Sequence, residues 1–143
     1  MFCSAFALTL GLSVSSQCPN DPWEISYQTL HTIDYAQTVE TARNPKCVEE
    51  DDNLTSRVIG HHPTVGKVEA WWAIEALVHY NIAGWLDRTA DATGSKGWYA
   101  ARWVWRVAGI TDEARDVIHN HNIGLHPFGG DLCKSTGFRN HER

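Results

Sequence analysis

The stretch TVGKVEAWWAIEALVHYNIAGWL, residues 64–86, decides the fold that the sequence predicts. It follows a proline, opens on the helix-capping Thr64 and contains no proline, so it predicts one helix of about six turns. Glu75 and His79 lie four residues apart within it and share a face. A helix that is apolar on all sides belongs either to the centre of a bundle or to a membrane. Each charge near the middle of a bilayer costs about 2.5 kcal/mol or more unless it is partnered. We therefore predict a buried, central helix of a bundle.

A second helix is predicted upstream of this stretch. Asp21 suits an N-cap, Pro22 fits the first helical position, and Glu24 completes the spacing of a capping box. Pro45 disfavours helical geometry at the residue before it. These signals predict a helix over residues 22–43.

A third helix is predicted downstream. The segment 87–95 is polar and predicts a turn, and Ser95 is placed to cap the helix that follows. Gly109 either bends this helix or ends it, in which case Thr111 caps a new one. The sequence thus predicts an all-α protein, a small antiparallel bundle whose three main helices lie near residues 22–43, 64–86 and 96–120.

Composition narrows the classes of partner. The chain has 143 residues, 43% of them hydrophobic, which is typical of one globular domain. Its formal net charge is -5 and it has no cluster of Lys or Arg, which argues against nucleic acid as a partner. The seven tryptophans suit a packed core, a membrane interface or a partner-binding face.

The N-terminus resembles a secretory signal peptide. An apolar run from Ala5 to Val14 is followed by small polar residues, with a cleavage point before Gln17. We predict a signal peptide or N-terminal anchor over 1–16, a helical domain over 17–125 and an irregular C-terminal tail over 126–143. A third interpretation of the N-terminal run is a core helix. The favoured interpretation places the protein in the cell envelope, exported to the periplasm or associated with the membrane.

The number of cysteines available for pairing depends on that cleavage. Removing residues 1–16 leaves Cys18, Cys47 and Cys133, which is an odd number. If Cys18 were the acylated residue of a lipoprotein, Cys47 and Cys133 would remain to pair in an oxidising compartment. No pair of cysteines has the spacing of a structural zinc site.

Polar residues on the first two main helices form the candidate site. One set is predicted to face inward across these helices and consists of His31, Asp34, Glu75 and His79. Such a set offers four ligands to a divalent metal ion. The same side chains also satisfy one another as a hydrogen-bonded polar core, which is the interpretation we favour, with no cofactor.

Several motifs resemble those of one group of proteins. They are the D-x-x-Q-T helix at residues 34–38, the loop His62-Pro63-Thr64, the helix that carries His79 and the N-x-x-I-G segment at residues 120–124. Together they resemble small bacterial and phage envelope proteins without an assigned role. The resemblance implies a fold and a location in the envelope and implies no reaction.

The predicted function follows from these patterns. We predict a non-catalytic, envelope-associated binding or structural accessory protein of bacterial or phage origin, rather than an enzyme. Trp98 and Trp103 are the predicted contacts with a protein partner or with the membrane interface. The alternative is a metal-dependent hydrolase that uses the His/Asp/Glu cluster between the first two main helices.

Overall fold

The structure is a computed structural model that describes residues 21–47, 54–127 and 129. It consists of four helices, which are α1 (Pro22–Arg43), α2 (Thr55–Ile59), α3 (Val65–Thr93) and α4 (Lys96–Asn122). No strand occurs in these ranges. The predicted all-α class is therefore confirmed. The predicted N-terminal segment over 1–16 and almost all of the predicted tail over 126–143 lie outside the described residues.

The predicted start of the first helix is confirmed. Asp21 is the N-cap of α1, where its Oδ1 accepts a hydrogen bond of 3.0 Å from the backbone N–H of Trp23, and Pro22 occupies the first turn. Glu24 does not fold back to complete a capping box. It is 5% exposed and points into the bundle. A polar residue of the first turn thus becomes part of the interior.

The two helices α1 and α3 run antiparallel. Tyr27, near the start of α1, stacks on His79 of α3. Farther along α1, Tyr35 packs against Trp72, which precedes His79 in α3. The contacts therefore advance along one helix as they recede along the other.

The last long helix completes the bundle. Near the start of α1, Asp21 pairs with Arg106 of α4, and farther along it His31 pairs with Glu113, so α1 and α4 run parallel. Gly94 is one of only two residues between α3 and α4. The three long helices therefore run up, down and up.

The central helix is longer than predicted. The segment predicted as a turn continues α3 to Thr93, and the helix ends at Gly94, which adopts the left-handed conformation with φ 60. Two interactions explain the extension. Asp87 and Asp91 each lie 3.6 Å from the guanidinium of Arg102. Ala90 is completely buried. Polar residues that predicted a turn are thus used as charged partners for α4.

The prediction that α3 is buried on all sides is wrong. Its inward face is made largely of small residues and one histidine, including Ala76, His79 and Ala83. Its outward face leaves about half of each large side chain exposed, at 52% for Ile74 and 49% for Trp85. Three helices enclose only one face of each, so even this apolar helix has a solvent side.

The apolar core lies at the end of α1 and the start of α3. Val39 of α1, Ile59 of α2 and Val68 of α3 form a buried cluster there. The partly buried residues around it are Tyr35, Ala42, Val65 and Trp71. The connection between α1 and α3 therefore contains α2, which contributes Ile59 to the core.

The fourth helix is continuous. It passes through Gly109 without ending, and Thr111 does not cap a new helix. At its far end the two motif segments at residues 34–38 and 120–124 contact each other, because Asn120 Nδ2 donates a hydrogen bond of 2.8 Å to Asp34 Oδ1. Beside them, Gln37 Nε2 donates to the carbonyl of Leu125 at 3.1 Å. These motif residues hold the end of α4 against α1.

Candidate functional site

A stack of aromatic rings crosses the middle of the bundle. It consists of Trp72, His31, Tyr27, His79 and Trp105, and we call it the ring stack. Successive centroids are 5.8, 5.4, 3.3 and 5.2 Å apart, and no successive pair of ring planes is tilted by more than 25°. The rings come from all three long helices. The centre of the bundle is therefore aromatic and polar rather than aliphatic.

His31 is held at both ring nitrogens. Its side chain is 3% exposed, Nδ1 lies 3.0 Å from Glu113 Oε1, and Nε2 lies 3.2 Å from the carbonyl oxygen of Trp72. The indole N–H of Trp72 in turn donates to the carbonyl of His31 at 3.2 Å. Burial lowers the pKa of His31, but the hydrogen bond and the negative charge of Glu113 outweigh it, so the pKa is raised above 6.5.

The same carboxylate also acts on Tyr27. Burial comes first, followed by the negative charge of Glu113, and together they raise the pKa of Tyr27 far above its ordinary value, so the hydroxyl stays protonated. Glu113 thus interacts with a tyrosine and a histidine of α1, and its contact with His31 ties α1 to α4.

The raised pKa of His31 predicts a pH dependence of stability. Since the fold favours the protonated ring, its contribution is fully present below the unfolded pKa of about 6.5 and is lost as pH rises through the higher folded pKa. We expect the contribution of His31 to the free energy of unfolding, measured with urea, to decrease as the pH is raised from about 5.5 to about 8.5. Glu113→Gln removes the charge that raises the pKa, and the difference between the two curves isolates His31 from the other histidines. Parallel curves would contradict the assignment.

His79 is buried but poorly satisfied. Its Nδ1 lies 3.1 Å from Glu24 Oε2, and the two side chains are 7% and 6% exposed. The contact is within ion-pair distance but lies off the direction of a hydrogen bond. Neither ring nitrogen of His79 has a hydrogen-bond partner among the described residues. Glu24 itself accepts a hydrogen bond of 2.7 Å from Gln28 Nε2.

Gly109 makes room for His79. A β-carbon at Gly109 would stand 2.9 Å from His79 Nε2 and 3.3 Å from Cδ2 of Tyr27. Because His79 and Tyr27 are stacked with centroids 3.3 Å apart, neither ring can retreat far. The glycine is therefore required for the close approach of α4 to the ring stack.

An open cleft borders this end of the ring stack. Its volume is about 620 Å³. Its lining residues are Tyr27, His79, Trp105, Ala108, Gly109, Thr111, Asp112 and Arg115. The cleft combines aromatic walls with groups that donate and accept hydrogen bonds, which is typical of small-molecule sites.

The four predicted site residues differ in the contacts that the structure gives them. His31 and His79 lie in the same ring stack, and Glu75 is close enough to raise the pKa of His31. Asp34 accepts a hydrogen bond from Asn120 of α4, because the third long helix also packs against α1. That all four face one another across the first two main helices stays a prediction.

No metal-binding group is found in the part of the chain that the structure describes. There, no three or more His, Cys, Asp and Glu side chains are placed to hold one ion. A divalent metal at the cluster stays a prediction.

Comparison of the chain with protein-family models, with curated proteins and with solved structures finds no match. The resemblance to small envelope proteins of bacteria and phages therefore stays a prediction.

The two predicted partner-binding tryptophans differ in their surroundings. Trp98 is partly buried and packs edge-on against Trp85 of α3, with centroids 5.2 Å apart. Trp103 is 43% exposed, and its ring packs edge-on against Trp23 of α1 at 5.0 Å. Trp98 thus lies at the contact of α3 and α4, whereas Trp103 offers more of its ring to a partner.

Sequence reasoning missed three groups of this site. They are Glu113, Tyr27 and Gly109. Each of them contacts one of the two histidines that the sequence did indicate. Gly109 and Glu113 are four residues apart in α4 and share a face. This spacing could have indicated the site, because it places a carboxylate and a residue without a side chain on the same side of the helix. A ring from another helix can pack closely at such a residue.

Proposed function

We propose that this chain is a non-catalytic accessory protein of a bacterial or phage-infected cell envelope, which binds a protein partner through an apolar strip on α4. The strip consists of Trp103, Val104 and Val107, whose exposed fractions are 43%, 67% and 50%. These residues have helical spacing and share one face. This exposed strip is the observation that carries the proposal, because contiguous apolar surface often marks a protein or membrane contact.

The strip is well suited to binding because it is held in place. The ring of Trp103 packs edge-on against Trp23, and the guanidinium of Arg106 lies 5.8 Å from the centroid of the Trp103 ring. Arg106 is itself fixed by carboxylates of Asp21 and Asp87. A large aromatic side chain that is already ordered loses little entropy on binding, which is typical of the residues that dominate interface energies.

The proposed location is supported by one covalent bond. Cys47 is disulfide-bonded. Disulfides persist in oxidising compartments such as the periplasm and are rare in the cytosol. None of the helices in the described ranges is long and apolar enough to cross a bilayer. Cell fractionation followed by sequencing of the mature N-terminus tests export, and a cytosolic protein that retains Met1 would contradict it.

The proposal of a non-catalytic role is supported by the engagement of His31 and Glu113 inside the bundle. These two residues have the chemistry of a catalytic pair, but they are bonded to each other, and His31 also contacts the carbonyl oxygen of Trp72. They are used to join helices. The alternative, a metal-dependent hydrolase, is tested by metal analysis after purification without a His tag, where stoichiometric metal would favour the hydrolase.

The strip yields a prediction for binding. Val104→Ser should reduce the amount of partner cross-linked in the envelope fraction by about tenfold, since burial of a valine side chain contributes about 1.5 kcal/mol or more. The free energy of unfolding should stay within about 0.5 kcal/mol of wild type, because the side chain is 67% exposed.

Ile118→Ser is the matched control. Ile118 is 60% exposed on the same helix but lies outside the strip, so its replacement should leave cross-linking unchanged. Equal losses from the two variants would contradict the strip as the contact. Wild-type co-sedimentation with lipid vesicles that Val104→Ser abolishes, without a cross-linked protein, would show a membrane surface in place of a protein partner.

A further inference from the structure

We infer that the cleft beside His79 and Trp105 binds a small planar heterocycle that carries a neighbouring N–H and C=O, as a cyclic amide does. The site is separate from the α4 strip, and nothing in the proposed accessory role requires it. Its volume of about 620 Å³ lies within the range of pockets that bind small molecules, roughly 300–1,000 Å³.

The first argument is unsatisfied hydrogen-bonding capacity. Both ring nitrogens of His79 and the indole N–H of Trp105 are buried without a hydrogen-bond partner among the described residues. Each such group costs about 1–3 kcal/mol when it is left unpaired. Gln37 Oε1, Trp71 Nε1 and Arg102 Nε are also unpaired, but none of these residues lines this cleft. Among the described residues, His79 and Trp105 are the unpaired side chains that line the cleft together, so an incoming molecule can supply partners to both.

The second argument concerns the direction of each hydrogen bond. The indole N–H of Trp105 can only donate, so the ligand must offer it an acceptor. The carboxylate of Glu24 lies 3.1 Å from His79 Nδ1, and in the tautomer with its proton on that nitrogen His79 offers Nε2 as an acceptor. The ligand must therefore present a donor to His79 and an acceptor to Trp105. The rings of these two residues are 5.2 Å apart, so the ligand groups must be neighbours.

The third argument is the shape of the walls. The indole of Trp105 and the phenol of Tyr27 both line the cleft, and flat aromatic walls favour a flat ligand. Gly109 also lines it and leaves the Nε2 edge of His79 without a covering side chain. A planar cyclic amide meets all of these requirements.

The charged residues at the cleft add a further constraint. Asp112 and Arg115 both line it, so the cleft is not selective for one sign of charge. This mixed lining favours a neutral ligand that is polar along one edge.

The test uses the full chain labelled with ¹⁵N and titrated with 2-pyridone or uracil. The indole N–H resonance of Trp105, assigned by its disappearance in Trp105→Phe, should shift in a saturable way. The matched probes 1-methyl-2-pyridone and 1,3-dimethyluracil keep the shape but lack the N–H, and they should bind at least about tenfold more weakly, the equivalent of about 1.4 kcal/mol.

Two variants complete the test. Trp105→Phe removes the donor and keeps an aromatic ring, so it should weaken binding of 2-pyridone by about tenfold or more, followed through the other tryptophan resonances. Because it removes a buried N–H that has no partner, its free energy of unfolding should equal or exceed that of wild type. Trp98→Phe, away from the cleft, should bind as wild type does.

The outcomes decide whether the cleft binds such a heterocycle. A saturable shift that needs both the ligand N–H and the Trp105 N–H supports the site. The absence of a saturable shift at about 10 mM probe, roughly tenfold above a Kd of about 1 mM, would overturn it. Equal binding of the methylated probes, or full binding by Trp105→Phe, would also overturn it. Neither result bears on the α4 strip, whose test uses other residues.

Discussion

Glu113→Ala is expected to destabilise the bundle by about 1–3 kcal/mol. The reason is that the carboxylate accepts a hydrogen bond of 3.0 Å from His31 Nδ1 of α1. His31 would stay inside the bundle without this acceptor, at a cost of about 1–3 kcal/mol. A loss of this size is a substantial part of the roughly 5–15 kcal/mol that holds a typical domain together.

The size of this loss is checked by urea unfolding at pH 7. Glu113→Gln should lose less, because its amide oxygen can still accept the hydrogen bond from His31 Nδ1. Glu69→Ala is the matched control, since Glu69 is an exposed glutamate in the first part of α3. If Glu113→Ala were no more destabilising than Glu69→Ala, the carboxylate would not be joining the helices.

The helices could be predicted where their ends carry local signals. Asp21, Pro22 and Asn44 fix α1 through capping and backbone geometry, which depend on residues close in sequence. The end of α3 could not be predicted in this way. Asp87 and Asp91 are indistinguishable from turn residues until Arg102 is brought beside them by the next helix. Local polarity predicted a turn, and a tertiary ion pair extended the helix.

The candidate site was predictable only in part for the same reason. His31 and His79 stood out because they are polar residues on apolar helix faces, and both are indeed buried. Their partners could not be assigned, since helical spacing specifies a face and not the neighbour that covers it. Glu75 was expected opposite His31, whereas the acceptor at its Nδ1 is Glu113. Whether Glu75 or Glu113 faces His31 depends on how α4 packs. The residues of α1 and α3 alone do not determine that packing.

Gly109 shows most clearly what local sequence signals cannot predict. In sequence it is a helix-weakening residue, and it predicted a bend or an end of α4. In the structure the helix is continuous, and the absent side chain is what the ring of His79 requires. A glycine in a helix interior costs about 1 kcal/mol relative to alanine, and the close packing of His79 against α4 offsets that cost.

Gly109→Ala is therefore expected to destabilise the protein by about 1–3 kcal/mol, although alanine is the better helix former. The new β-carbon would lie 2.9 Å from His79 Nε2, closer than atoms of this kind approach, and the stacked Tyr27 ring prevents His79 from moving away. Gly66→Ala is the matched control, because a β-carbon at Gly66 of α3 would meet nothing within 4 Å. It should be neutral or stabilising by up to about 1 kcal/mol.

A double-mutant cycle by urea unfolding separates this clash from other effects of the substitution. In a His79→Ala background the imidazole is gone, so Gly109→Ala should there be neutral or stabilising, and the two changes should couple by more than about 1 kcal/mol. Additive losses would mean that the helix cannot accept a side chain at residue 109 for some reason other than His79. The contact between Gly109 and His79 would then not be what sets the distance of α4 from the ring stack.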